Sequence, residues 1–192
     1  MISNISKQAN IPSRYGKLIA QVFQEGNKEH LVVQTDNLNQ IPDVRIHSEC
    51  LTGDVFHSIK CDCGGQIDEA LKNIQKNGGM IIYLRQEGRD IGLLNKINAY
   101  SLQDQGYDTV DANKMLGFKE DHRSYEIVDD ILEYYKIKEI NLMSNNPRKL
   151  NGLKKVKVNQ RISIEMKSCK ENKQYLNTKK NRLGHMIEEF TQ

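Results

Sequence analysis

The sequence predicts an α/β fold, an α+β mixed sheet with flanking helices. Strand-like and helix-like segments alternate through the middle of the chain, and a pair of strands joined by a turn precedes them. Lys17 to Phe23 and His30 to Gln34 form that pair around the turn-like Glu25-Gly26-Asn27-Lys28, which suggests an antiparallel or mixed portion of sheet. Val44 to Glu49 alternates β-branched and polar residues and reads as a third strand. From Gly65 onward Ile67, Ala70, Leu71 and Ile74 recur at helical spacing, and Gly78-Gly79 stops the helix. Met80 to Leu84 is a short apolar run suited to a buried strand, followed by the polar loop Arg85-Gln86-Glu87-Gly88-Arg89-Asp90. Leu93 to Gln105 is helical and closes on Gly106. Ile127, Val128, Ile131, Leu132 and Tyr135 mark another amphipathic helix. Ile140 to Met143 is a strand leading into Ser144-Asn145-Asn146-Pro147, where the proline suits a helix start. Residues 151–174 are polar and Lys-rich, an exposed or mobile stretch before a last amphipathic segment, Tyr175 to Phe190. No repeat or composition shift marks a boundary, so residues 1–192 are expected to form a single domain.

Composition narrows the function classes. With 38% hydrophobic and 28% charged residues the chain has a soluble composition, and no run approaches the roughly 18 apolar residues of a membrane span. The first residues lack a signal-peptide apolar stretch, so the expected location is cytoplasmic, with no membrane partner. A net charge of +3 suits a phosphate-bearing ligand or an ordinary solvated surface and does not call for nucleic acid.

Three of the four cysteines, Cys50, Cys61 and Cys63, fall within fourteen residues, and Cys169 stands apart. In a reducing compartment disulfides do not explain such a cluster. Three thiolates are a soft ligand set for zinc, and three protein ligands leave the fourth tetrahedral position for water, the arrangement of a catalytic site. A structural zinc site would want a fourth ligand, for which His47, His57 and the remote Cys169 are candidates. Spacing alone leaves three readings open: a catalytic metal, a structural metal, or reduced buried cysteines.

The residues around the cysteines carry a resemblance. Arg45-Ile46-His47-Ser48-Glu49-Cys50-Leu51-Thr52-Gly53-Asp54, then Cys61-Asp62-Cys63-Gly64 and Gln66, closely resemble the zinc and substrate region of the GTP cyclohydrolase II family. The likeness continues through Arg85 to Arg89, Ile91 to Lys96, Ala99-Tyr100, Leu102 to Thr109, Ala112-Asn113, Leu116 to Phe118 and Asn145-Asn146-Pro147. It covers roughly residues 11–150, plus Tyr175-Leu176 and Gly184-His185. The resemblance implies a homodimer of the GTP cyclohydrolase II fold, with one zinc per subunit, Mg²⁺ on the triphosphate, and GTP as substrate. The products would be 2,5-diamino-6-(5-phospho-ribosylamino)pyrimidin-4(3H)-one, formate and pyrophosphate, in the first step of riboflavin biosynthesis.

By the same resemblance Cys50, Cys61 and Cys63 are the zinc ligands. Arg45, Ile46, His47, Ser48, Glu49, Gln66, Glu87, Gly88, Arg89, Thr109, Ser144 and Lys149 contact the nucleotide. Tyr100 is the active-site tyrosine, and Asp121 and Arg123 are the acid/base and nucleophile pair of a covalent guanylyl intermediate. Taken alone, Asp-x-Arg would be read as a surface ion pair and Tyr100 as a packing or surface residue. Ser144 departs from the family's usual Thr while keeping the hydroxyl, and Arg161-Ile162-Ser163 stands where the family commonly has a proline-containing strand end. No Gly-x4-Gly-Lys-Ser/Thr phosphate loop occurs, and there is no room for the synthase domain that some family members carry, so a single activity is expected.

Overall fold

The structure, a computed structural model, describes residues 1–119 and 121–188. In chain order the elements begin with four strands: β1 (Asn4–Ile5), β2 (Ala9–Ser13), β3 (Gly16–Glu25) and β4 (Lys28–Gln34). Then come β5 (Asp43–Ser48), α1 (Leu51–Asp54), α2 (Cys63–Asn77), β6 (Gly79–Leu84), α3 (Glu87–Asp90) and α4 (Gly92–Asp104). The remainder is α5 (Thr109–Met115), α6 (Glu126–Tyr134), β7 (Glu139–Met143), α7 (Pro147–Asn151), β8 (Lys157–Ile162) and α8 (Lys173–Leu183). The fold is therefore mixed α/β, as the alternation of elements predicts. None of the described helices is long and apolar enough to cross a membrane.

The chain divides into two compact units, the first comprising Met1–His47, Ile67–Arg85 and Ser124–Ile164. Among the described residues eight strands form one sheet in the order β1-β3-β4-β6-β5-β7-β8, with β2 also on β3. The half from β1 to β6 is antiparallel where β3, β4 and β6 pair, while β5, β7 and β8 run parallel. Gly26, at φ 58°, fills the first central position of the two-residue loop between β3 and β4, a place where a side chain would be strained. Five consecutive residues of β5, Asp43 to His47, are buried, so this is a strand covered on both faces. One face carries the core: Phe23, Val32, Val44, Ile46, Met80, Ile82, Leu84, Ile140 and Leu142 pack with Ile127, Val128, Ile131 and Leu132 of α6. At the end of β7 the Asn146 side chain accepts a hydrogen bond from the Arg148 backbone N–H at 2.9 Å, and Pro147 opens α7 without an orphan donor to satisfy.

The second unit comprises Ser48–Gln66, Gln86–Arg123 and Glu165–Gln192, and its regular elements are helical. α4 packs on α3 and α5, and α5 on α8. Asp108 caps α5 by accepting from the Val110 and Asp111 backbone at 2.8 and 2.9 Å, and Arg182 of α8 pairs with both Asp108 and Asp111. α8 ends at Gly184, whose φ of 66° is the left-handed stop that glycine supplies. The amphipathic segment expected from Tyr175 to Phe190 is thus helical from Lys173 to Leu183, and its residues 189 and 190 lie outside the described residues.

The polar loop after β6 contains the short turn α3, whose Gly88, Arg89 and Asp90 all stand at positive φ, so it is not regular helix. α4, helical as expected, buries a polar side chain and exposes apolar ones: Lys96 and Ala99 are 7% and 2% exposed, while Leu94 is 73% exposed and Leu93 and Ile97 also face outward. Burying a lysine is costly unless its charge is paired, and the partners described below meet that cost.

Candidate metal centre and active site

Cys50 is the residue that opens α1, immediately after β5, Cys61 sits in the loop that follows, and Cys63 is the first residue of α2. Their sulfurs all lie within 4.8 Å of one another, with Cys50 Sγ 3.6 Å from Cys61 Sγ, and no fourth ligand joins them among the described residues. Zinc–sulfur bonds of about 2.3 Å at tetrahedral angles separate sulfurs by about 3.8 Å, so the spacing fits one tetrahedral ion. Gly53 leaves the space the sulfurs occupy: a Cβ there would stand 3.0 Å from Cys61 Sγ and 3.1 Å from Cys50 Sγ. Hydrogen bonds from Cys61 and Cys63, and then Lys96 beside it, hold the Cys50 thiol far below its ordinary value. The same bonds push Cys61 up to about 12 and Cys63 well upward. Three thiolates packed this closely call for a cation to offset their charge, which is the chemistry of a soft metal site.

A buried polar group lies against Cys50. Lys96 Nζ donates to Cys50 Sγ at 3.1 Å, to Thr52 Oγ1 at 2.9 Å and to Glu87 Oε1 at 2.8 Å. Glu87 Oε2 accepts from the Leu51 backbone N–H at 2.6 Å, at the open N-terminus of α1. Burial works against the Lys96 charge, but the Cys50 thiolate and the bond to Glu87 outweigh it and raise its pKa. Tyr100, one turn further along α4, places its hydroxyl 3.5 Å from Thr52 Oγ1, and its ring lies under Lys60 and Lys96 at 5.0 and 5.5 Å. Burial pushes its phenol up to about 12, against the opposing pull of Thr52 and Lys96.

Asp121 and Arg123 make a bidentate pair, Nε to Oδ1 at 2.9 Å and Nη2 to Oδ2 at 2.7 Å. Arg123 Nη1 reaches Ser48 Oγ at 3.4 Å. Their side chains are only 6% and 11% exposed, so this is a buried pair and not the surface pair that Asp-x-Arg alone suggests. Between the two cysteines of the metal loop, Asp62 accepts from Lys179 of α8 at 2.5 Å and from Gln66 Nε2 at 2.8 Å. Glu49 is half-buried just past β5, and Thr109 is the first residue of α5.

The chain matches the sequence profile described as GTP cyclohydrolase II over residues 4–163. It is 59% identical over 185 residues to a GTP cyclohydrolase-2 from Campylobacter hominis, covering 96% of each chain. It is 51% identical over 187 residues to a GTP cyclohydrolase-2 from Helicobacter pylori strain P12, covering 95% of this chain and 97% of that one. The chain belongs to the GTP cyclohydrolase II family. It is an enzyme of that type. Among solved structures it is similar to a two-domain 3,4-dihydroxy-2-butanone 4-phosphate synthase from A. baumannii, at a TM-score of 0.47 and 14% identity, over 83% of this chain and 40% of that one. That likeness is too distant to bear on function.

Of the residues the GTP cyclohydrolase II resemblance singles out, the second unit holds Ser48, Glu49, Gln66, Glu87, Gly88, Arg89, Tyr100, Thr109, Asp121, Arg123 and the three cysteines. Arg45, Ile46, His47, Ser144 and Lys149 belong to the first unit. There Arg45 Nη1 donates to the Met143 carbonyl at 2.9 Å, and Lys149 Nζ donates to the Ile46 carbonyl at 2.8 Å. His47 stacks on Tyr83 with ring centroids 5.5 Å apart, and Ser144 Oγ accepts from the Asn146 backbone at 3.1 Å. Sequence reasoning missed Lys96 and Lys179 as members of the site's neighbourhood. A lysine in a helix is read as solvent-facing, and the only available signal was that α4 has no clean apolar stripe on the side it buries.

Proposed function

We propose that this chain is a zinc-dependent GTP cyclohydrolase II that hydrolyses GTP to 2,5-diamino-6-(5-phospho-ribosylamino)pyrimidin-4(3H)-one, formate and pyrophosphate, the first step of riboflavin biosynthesis. The observation that carries the reading is the convergence of three cysteine sulfurs within 4.8 Å in a chain of this family. Zinc held by Cys50, Cys61 and Cys63 supplies, when bound, a Lewis acid that lowers the pKa of water from about 15.7 toward 7 for attack on the guanine ring. The remaining work falls to side chains. Tyr100 stays a neutral phenol and donates a proton or hydrogen bond at the ring being opened, with its hydroxyl turned toward Thr52. Asp62 fixes the amide plane of Gln66, which with Glu87 and Arg89 is assigned to the nucleotide.

At the α-phosphorus, Arg123 is the proposed nucleophile. A protonated guanidinium is a poor one, so the step needs an acceptor for its proton, and Asp121 stands at 2.7 and 2.9 Å in that role. A phosphorus–nitrogen bond then forms as the bond to the pyrophosphate oxygen breaks, and water later cleaves the phosphorus–nitrogen bond; Mg²⁺, when bound with the substrate, would offset the triphosphate charge. The active form is a homodimer in this reading. Support comes from the second unit's outward-facing Val55, Phe56, Ile59, Leu94 and Ile97, apolar surface of the kind that marks a protein contact. The test is metal removal: chelator-treated protein releases no formate from GTP, and stoichiometric Zn²⁺ restores release in wild type but not in Cys61→Ser. Undiminished formate from metal-free protein overturns the reading.

A further inference from the structure

We propose that Lys96 is a positioning residue that offsets the charge of the three-thiolate centre and ties the sulfur of Cys50 to Glu87. The inference rests on the metal reading above and adds to it a residue outside the ligand set. Lys96 is 7% exposed, and its three N–H donors meet three acceptors, Cys50 Sγ at 3.1 Å, Thr52 Oγ1 at 2.9 Å and Glu87 Oε1 at 2.8 Å. With every donor engaged, Lys96 holds its neighbours in place and is not the group that delivers a proton to substrate.

The contacts close a circuit. Glu87 bridges Lys96 and the backbone N–H of Leu51, the residue next to Cys50, so the ammonium reaches this ligand both through its sulfur and through its backbone. The turn α3 is built to lie against Lys96: a Cβ on Gly88 would stand 3.0 Å from Lys96 Cβ, and Gly88 takes φ 62°. Three thiolates around a divalent cation leave one net negative charge, and the Lys96 ammonium is the buried cation that Cys50 Sγ contacts. A hydrogen bond to a thiolate lowers the energy of its lone pairs. It therefore stabilises the anion and raises the energy of charge transfer from sulfur to metal.

Cobalt(II) in place of zinc reads this directly, alongside zinc affinity measured by competition with a chromogenic chelator. Wild type shows thiolate-to-cobalt charge-transfer bands. Lys96→Met keeps tetrahedral cobalt bands, shifts the charge transfer to longer wavelength, and binds zinc about ten- to a hundredfold more weakly, the range that outer partners of metal ligands command. Lys96→Gln, which keeps an N–H donor without the charge, falls between the two and serves as the readout should the methionine variant not fold. Variants with wild-type band positions and wild-type zinc affinity overturn the role of Lys96. Absence of thiolate bands in wild type itself overturns the metal reading and the inference with it.

Discussion

The buried pair of Asp121 and Arg123 is the point at which the geometry most changes what the residues mean. A carboxylate and a guanidinium two positions apart are ordinarily a solvated pair worth little, yet this one is bidentate and almost fully shielded. Removing the carboxylate leaves the buried Arg123 charge without its bidentate partner, so Asp121→Ala is expected to cost about 3–5 kcal/mol in urea unfolding. The same variant should lose pyrophosphate release, read in a coupled phosphate assay, and pyrophosphate release at the wild-type rate would remove Asp121 from the reaction. Tyr100→Phe acts on the other half of the chemistry and should lower formate release about a hundredfold, the order of a lost acid/base group. A phenol raised to about 12 stays protonated at lower pH, so both proteins should keep the same alkaline limb below about pH 10. A limb present in wild type and absent in Tyr100→Phe would show that the phenol titrates in the working range. The three cysteines were legible as a metal set because thiols are scarce and their spacing is short. Lys96 was not, because its meaning comes from three partners, Cys50 and Thr52 at the start of α1 and Glu87 of α3, which only the fold brings to it.

At the scale of elements, the metal loop is held from two sides. Gly53 and Gly64 let the segments from α1 to the start of α2 pack without side chains between them: a Cβ on Gly53 would crowd two sulfurs, and one on Gly64 would meet the Gly53 carbonyl. From the other side, Lys179 on α8 pairs with Asp62 between the two cysteines. Lys179→Met is expected to lower the unfolding free energy by an amount on the order of 3 kcal/mol, seen as a lower urea midpoint at an unchanged m value, and to weaken zinc binding. An unchanged midpoint together with unchanged zinc affinity would mean that α8 does not brace the loop. The elements β3, β4, α2, α6 and β7 were predictable because their apolar residues repeat at the period of one buried face, and β6 because it is a short continuous apolar run. The edge strands β2 and β8 were not: β2 is almost wholly exposed and β8 lies in a Lys-rich stretch, so neither carries an alternating pattern. The turns α1 and α3 are four residues each, too short for any period to register, and α3 is set by glycine and strained residues at positive φ.

For the whole molecule, the sheet unit and the helical unit divide the labour of the chain: the first carries the apolar core, and the second carries the cysteines, Tyr100 and the Asp121–Arg123 pair. The fold class followed from the alternation of elements, whereas the division did not, because its segments interleave along the chain and no linker composition marks their borders. The proposed dimer predicts a sedimentation mass twice that of the chain, and Leu94→Glu should shift it toward monomer by placing a charge on the exposed apolar surface; a monomeric wild type would contradict it. The central claim, that one zinc-loaded chain type opens the guanine ring and cleaves the triphosphate, is tested most directly by incubating the zinc-loaded protein with GTP and Mg²⁺ and quantifying formate and pyrophosphate in the same sample. Equal release of both is the predicted result, and pyrophosphate without formate, or neither product, would contradict it.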